Sequence, residues 1–193
     1  MPPPALSGVV LAGGRSRRMR RNKAKLPVGG VPLWCRQTAV LAGAGAKPVL
    51  IALRPRQRSL GAPRREIRDS VADAGPLAGV HAALARASSP LVAVLAVDMP
   101  FLEASWFRRL RRACAAGCGA VYRGPRGYEP LAAIYPREAL PEAGRRLRRG
   151  SRAMHRLVAA LVRARRLRVV RLAPREIPQA ANWNRPADVG GGR

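Results

Sequence analysis

Near its amino terminus the chain carries a glycine pair followed by a cluster of basic residues, a combination that suits phosphate binding. In SGVVLAGGRSRRMRRNKAKLPV, an apolar run ends at Gly13 and Gly14, and Arg and Lys residues follow. Glycines let backbone N–H groups come close to an anion and form a concave nest. Arg18 and Lys23 add positive charge, and lysine is a compact charge suited to a phosphate oxygen. The segment is either a phosphate cradle or an ordinary solvated loop.

Asp98 is the complementary candidate. It directly follows the apolar run Leu91–Val97, and a buried carboxylate without a partner is costly. Its side chain either caps the following turn or holds Mg²⁺, which takes one or two carboxylates together with phosphate oxygens. Only four aspartates occur in the chain, so each is a candidate for a specific role. A phosphate cradle and a carboxylate at two strand ends together indicate metal-assisted chemistry on a nucleotide.

These residues follow strands in an alternating pattern of strands and helices. The pattern predicts an α/β domain with a mostly parallel sheet. In such sheets ligands bind at the carboxyl ends of the strands. The predicted strands are Gly8–Ala12, Pro48–Leu53, Glu66–Arg68, Leu91–Val97, Gly119–Arg123, Leu131–Tyr135 and Arg166–Leu172, and the predicted helices are Leu33–Ala44, Leu77–Ala87, Ala104–Ala115, Arg137–Arg149 and Arg152–Ala164.

The charge of the chain is extreme, but it is not concentrated in one segment. The formal net charge is +27, and the basic residues extend from Arg15 to Arg193. Such a surface attracts polyanions non-specifically. No nucleic-acid motif and no basic stretch with interleaved aromatic residues occurs, so we expect no specific nucleic-acid partner.

Length and composition fit one globular domain. The 193 residues predict a single domain over residues 1–189, with a frayed tail at 190–193. Three cysteines suggest neither a disulfide framework nor a zinc site. No apolar run approaches the ~20 residues of a membrane span. We therefore expect a soluble, cytoplasmic monomer without a membrane partner.

Several segments resemble one known family. LAGGRSRRMRRNK resembles the L-A-G-G-x-S-x-R-M-G-x-D-K signature of the MobA-type molybdenum cofactor guanylyltransferases. Four more segments match in order: RDSVADAGPLAGV, LAVDMPFL, YEPLAAIY and NWNRPADV. The chain differs from the family at Arg20 and Asn22, where glycine and aspartate are usual. It also carries Ile51, Ala52 and Leu53 where an asparagine near the base is usual.

The resemblance implies a fold, a reaction and a set of site residues. The fold would be a three-layer, Rossmann-like nucleotidyltransferase fold. The reaction would be transfer of GMP from GTP to molybdopterin or its metal-bound form, with Mg²⁺ and release of pyrophosphate. Molybdenum cofactor biosynthesis proteins and acceptor molybdoenzymes would be further partners. The implied site residues are Leu11, Ala12, Gly13, Gly14, Lys23, Asp69, Gly79 and Asp98 for the nucleotide, Asp98 for the metal, Lys23, Asp98 and Arg18 for catalysis, and Asn182 and Asn184 on the pterin side.

Other functions stay open at this point. A related enzyme could use CTP on the same pterin or another small phosphorylated acceptor. The double glycine of LAGG favours the guanylyl branch, because LAAG is usual in the cytidylyl one. A non-catalytic polyanion-binding module and a family member that binds nucleotide without turnover are the remaining alternatives.

Overall fold

Strands and helices alternate along the chain in the predicted order. The computed structural model describes residues 4–13, 22–69, 71, 74–181 and 183. The strands are β1 (Leu6–Leu11), β2 (Pro27–Val28), β3 (Val31–Pro32), β4 (Val49–Leu53), β5 (Glu66–Arg68), β6 (Leu91–Ala96), β7 (Gly119–Gly124), β8 (Gly127–Tyr128), β9 (Ala132–Pro136) and β10 (Leu167–Arg171). The α-helices are α1 (Leu33–Gly43), α2 (Pro76–Arg86), α3 (Ala104–Ala113), α4 (Leu140–Arg148) and α5 (Met154–Arg163).

The strands form one mixed sheet and a separate small hairpin. Across the sheet the order is β10-β7-β9-β6-β1-β4-β5, and β8 pairs with β7. β1 lies between β4 and β6 and is parallel to both, and β5 is parallel to β4. β9 runs antiparallel to β6 and β7, whereas β10 is parallel to β7. The half made of β5, β4, β1 and β6 therefore brings the carboxyl ends of four neighbouring strands together.

Alternate residues of the central strands face different helix layers, as the pleat of a strand requires. In β1, Val10 packs into a core that includes Leu41 of α1 and Phe107 of α3. Its neighbour Val9 packs into a second core that includes Leu84 of α2, with α4 and α5 on the same side. The predicted three-layer α/β fold is therefore confirmed.

The segment predicted as the helix Arg137–Arg149 is built differently. It begins as a 3-10 turn, Arg137–Ala139, and α4 starts only at Leu140. Proline is favoured in the first turn of a helix, because its missing N–H is not needed there. Pro141 therefore fixes the start of the α-helix close to its own position.

A short hairpin was not predicted. β2 and β3 pair antiparallel around Gly29 and Gly30, whose φ angles are 57° and 79°. Positive φ at both central residues is typical of the tight hairpin turns that suit the twist of a sheet. The two strands have only two residues each, which is too few for a periodic pattern in the sequence.

None of the helices in the described residues has the length and apolar character needed to cross a membrane.

Candidate active site

A cleft lies at the carboxyl ends of the parallel strands. Its volume is about 250 Å³, and its lining includes residues from the ends of β1, β4, β5 and β6. The amino terminus of α2 forms another wall, where Gly75 has a φ of 68° and Pro76 begins the helix. A Cβ on Gly79 would lie 2.9 Å from Cδ2 of Leu11, so a larger residue would force Leu11 to shift where α2 packs against β1.

Lys23 and Asp98 meet at the β6 end of this cleft. Lys23 Nζ donates to Asp98 Oδ2 at 3.4 Å, although the two residues are 75 positions apart in the sequence. Their side chains are only 17% and 27% exposed, so solvent and salt screen the pair less than a surface pair. A cation and a carboxylate are therefore held beside each other at one end of the cleft.

Lys23 lies on a short 3-10 helix whose first turn is capped by Asn22. The side-chain oxygen of Asn22 accepts a hydrogen bond from the backbone N–H of Ala24 at 3.1 Å. Asparagine and aspartate cap helices about equally well. Asn22 therefore fulfils the local structural role that an aspartate at this position would have.

The carboxyl-terminal part of the chain completes this end of the cleft. The N–H of Trp183 donates to the backbone carbonyl of Asp98 at 2.8 Å. Lys23 Nζ donates to the carbonyl of Trp183, whose side chain is buried and packs edge-on against Phe101. Trp183 therefore contacts Lys23 and Asp98 through its backbone.

Helix α1 fixes the loop that carries Asp98. Gln37 is fully buried and donates from Nε2 to the carbonyl of Met99 at 2.7 Å. Arg36 donates from Nε to the carbonyl of Pro100 at 3.0 Å. No backbone N–H of residues 99–102 donates to the Asp98 carboxylate among the described hydrogen bonds. The carboxylate therefore faces Lys23 and the cleft, and it does not cap the following turn.

Asp69 and Arg54 lie at the other end of the cleft. Asp69 follows β5, Arg54 follows β4, and both line the cavity. Burial raises the pKa of Asp69, and the positive charge of Arg54 lowers it by a smaller amount. The net result is a rise of the pKa from 3.8 to about 6. Asp69 Oδ1 and Arg54 Nε are both buried without a hydrogen-bond partner in the described part of the chain.

Comparison with known proteins agrees with this geometry. A family model for the MobA-like NTP transferase domain matches residues 8–167. The chain belongs to the MobA-like NTP transferase family. It is 57% identical over 187 residues to a protein of Opitutus terrae named "Probable molybdenum cofactor guanylyltransferase", covering 95% of this chain and 93% of that protein.

Two solved structures share the fold of this MobA-like chain. One is molybdopterin-guanine dinucleotide biosynthesis protein A from Archaeoglobus fulgidus, with a TM-score of 0.76, 23% identity, and coverage of 95% of this chain and 94% of that one. The other is a nucleotidyl transferase from Methanothermobacter thermautotroptrophicus, with a TM-score of 0.74, 21% identity, and the same coverage of both chains. At these identities the likeness concerns the fold alone.

The MobA-like fold brings most of the predicted site residues together. Leu11, Gly13, Asp69, Gly79 and Asp98 line the cleft, and Lys23 contacts Asp98. The N–H of Ala12 donates to Ala52 and its carbonyl accepts from Gln57, so both of its backbone polar groups already have partners. The roles assigned to all these residues stay predictions. Four predicted site residues and the predicted tail lie outside the described residues; they are Gly14, Arg18, Asn182, Asn184 and residues 190–193. The assignment of residues 1–189 to a single domain also stays a prediction.

Sequence reasoning missed two contributors to the MobA-like site. Arg54 directly follows an apolar strand, as Asp98 does, but it is hard to distinguish in a chain with 37 basic residues. Trp183 acts through its backbone, which no side-chain pattern can reveal. Position after a strand was the signal that could have identified Arg54.

Proposed function

We propose that this protein transfers GMP from GTP to the terminal phosphate of molybdopterin, or of its metal-bound form, in a Mg²⁺-dependent reaction. The contact between Lys23 and Asp98 at one end of the cleft is the observation that carries the proposal. The name of the Opitutus terrae relative supports the choice of guanylyl transfer and of the pterin acceptor. The product would then be available to acceptor molybdoenzymes. The role of those enzymes as partners, the other biosynthetic partners and the monomeric state all stay predictions.

In the proposed reaction the substrate supplies the nucleophile. An oxygen of the acceptor phosphate attacks the α-phosphorus of GTP and forms a new P–O bond. The bond from the α-phosphorus to the oxygen that bridges to the β-phosphate breaks, and its electron pair leaves with pyrophosphate. No protein nucleophile is needed, so the protein must position two anions and neutralise their charge.

Lys23 is suited to that task. Two unit charges of the same sign ~4 Å apart repel by about 4 kcal/mol at an effective dielectric constant of 20. A lysine ammonium has three N–H donors, and two of those of Lys23 are directed at Asp98 and the Trp183 carbonyl. No other described residue accepts a hydrogen bond from Lys23. A phosphate oxygen could accept from the third N–H, and Lys23 could then stabilise phosphate charge without leaving its partners.

Asp98 is the residue that would hold Mg²⁺. No group of three or more His, Cys, Asp or Glu side chains that could hold a metal occurs among the residues that the structure describes. Mg²⁺ commonly uses one or two carboxylates and takes its other ligands from phosphates and water, so a single cleft-facing carboxylate fits this ion. Bound Mg²⁺ supplies Lewis-acid polarisation of the phosphates and charge neutralisation.

Nucleotide-dependent thermal stabilisation tests the proposal. GTP, CTP and ATP would each be added with and without Mg²⁺, and a DNA oligonucleotide would serve as the polyanion control. At ~100 times its dissociation constant a ligand adds about 2.7 kcal/mol to the free energy of unfolding. We expect GTP with Mg²⁺ to stabilise most.

Three results would count against the proposal. Equal stabilisation by DNA would favour a polyanion-binding module. A preference for CTP would favour the cytidylyl reaction. The absence of any Mg²⁺-dependent preference for GTP would remove the basis of guanylyl transfer.

A further inference from the structure

The cleft is long enough to bind the two ends of a nucleotide at different strands. Asp98 follows β6 and Asp69 follows β5, with β1 and β4 between them. Neighbouring strands lie ~4.8 Å apart, so three spacings separate the two carboxylate-bearing strands by roughly 14 Å. A nucleotide with its phosphates at Lys23 and Asp98 would therefore extend its base toward the ends of β4 and β5.

Arg54 lies at this far end, close to Gly13. A Cβ on Gly13 would be 3.2 Å from Cγ of Arg54, so the arginine stem packs directly over the backbone of Gly13. The Nε–H of Arg54 is buried and has no acceptor among the described residues. A buried donor without a hydrogen-bond partner lowers the stability of the folded protein.

Asp69 presents the opposite kind of group next to Arg54. Its Oδ1 is buried and accepts no hydrogen bond within the described part of the chain. The charge of Arg54 influences Asp69, but none of the described hydrogen bonds or ion pairs joins the two side chains. Both side chains also line the cleft, so a ligand bound there lies beside one donor group and one acceptor group that have no partner among the described residues.

Guanine is the base whose edge matches this pair. Its O6 and N7 are adjacent acceptors, which the planar fork of an arginine contacts well. Its N1–H and 2-amino group are adjacent donors, which suit a carboxylate. Cytosine instead presents a ring nitrogen acceptor beside its amino group, and that acceptor would face the carboxylate unfavourably.

We propose that Arg54 determines base specificity by donating to the O6 and N7 edge of guanine, while Asp69 accepts from N1–H and the 2-amino group. The inference rests on the proposed function, because it assumes that a guanine nucleotide occupies the cleft.

Affinity measurements on an arginine variant test this role. Isothermal titration with GTP, CTP and ATP in Mg²⁺ would compare the full chain with Arg54→Met, which keeps the stem but removes the guanidinium. We expect GTP affinity to fall roughly 5- to 100-fold, which is the range for a good arginine–guanine contact. CTP and ATP affinities should change less than about twofold. Arg58→Met, an exposed arginine on the same loop, is the matched control and should bind like the unmodified protein.

Two further variants keep the inference testable if Arg54→Met does not fold. Arg54→Lys retains the charge but not the planar fork, so it should lose most of the preference for GTP. Asp69→Asn should shift the preference from GTP toward XTP, because the amide N–H₂ can donate to the 2-oxo group of xanthine.

The outcomes separate this inference from the proposed function. An equal loss of affinity for all three nucleotides in Arg54→Met would assign Arg54 to ribose or phosphate and overturn the inference. So would an unchanged GTP preference, or an Asp69→Asn variant that still prefers GTP to XTP. If the unmodified protein shows no preference for GTP, the proposed function itself fails, before any variant is compared.

Discussion

At the scale of single residues, Asp69 illustrates how a partly buried carboxylate that lines a cleft lowers the stability of the folded protein. Burial raises its pKa from 3.8 to about 6, so the folded protein favours the protonated form. Above about pH 6 the carboxylate is ionised in both the folded and the unfolded state, and the folded state bears the cost of its desolvation. Below about pH 4 the group is protonated in both states, and the cost disappears.

Replacement of this carboxylate should reveal the cost directly. We expect Asp69→Asn to unfold at a higher temperature than the unmodified protein at pH 7.5. The difference should shrink as the pH falls through 6 and vanish near pH 4, because stability falls with rising pH wherever the folded state binds more protons. Thermal unfolding of both proteins across this pH range is the measurement. A difference that does not vary with pH would show that ionisation of Asp69 is not its cause.

At the scale of elements, the carboxyl-terminal segment, defined as residues 174–181 and 183, acts on the site from outside the sheet. Its 3-10 helix, Pro174–Ala180, is anchored by an ion pair between Glu176 and Arg109 of α3. Glu176 also accepts from the N–H of Ala173 at 2.9 Å, and Arg109 lies over the ring of Tyr122. Trp183, which accepts a hydrogen bond from Lys23, follows this segment closely in the sequence, so we expect the anchor to help to set the position of Lys23.

Loss of the anchor should therefore affect the reaction more than the fold. For Glu176→Gln we expect a loss of at most about 1 kcal/mol in the free energy of unfolding, as for other partly exposed ion pairs. The transfer rate should fall by roughly tenfold, because a 1 Å displacement in an active site can cost as much as ~100-fold. Urea unfolding and steady-state rates would measure the two effects.

Glu142→Gln is a matched control for this prediction. Glu142 pairs with Arg145 and Arg146 on α4, which contributes no described residue to the cleft lining. It should lose similar stability and keep the full transfer rate. Equal rates for the two variants would show that the carboxyl-terminal segment does not position Lys23.

At the scale of the whole molecule, the net charge of +27 should reduce stability through self-repulsion. The Debye length is about 10 Å at 0.1 M salt, so moderate salt screens most of the surface charge. We expect the free energy of unfolding in urea to rise as KCl increases from 20 to 300 mM, concentrations that span this screening range. A value that does not change with KCl would show that the arginines are already neutralised by local partners.

The parts of this fold that could be predicted from the sequence are those that neighbouring residues along the chain specify. The apolar runs that became β1 and β6 identified the strand ends that carry Gly13 and Asp98. The hairpin at Gly29 and Gly30 was missed because its strands are too short to show alternation. The approach of Trp183 to Lys23 joins residues 160 positions apart, and no local pattern reports a contact of that range.

The central claim is that Lys23 and Asp98 serve Mg²⁺-dependent transfer of GMP to a pterin phosphate. Its most direct test is to incubate the protein with molybdopterin, Mg²⁺ and either GTP, CTP or ATP, and to measure the dinucleotide product and pyrophosphate in equal amounts. We predict product with GTP, little with CTP or ATP, and a rate at least ~1,000-fold lower for Asp98→Asn, since metal-ion catalysis contributes several kcal/mol. No product with GTP, or an Asp98→Asn variant with the full rate, would contradict the claim.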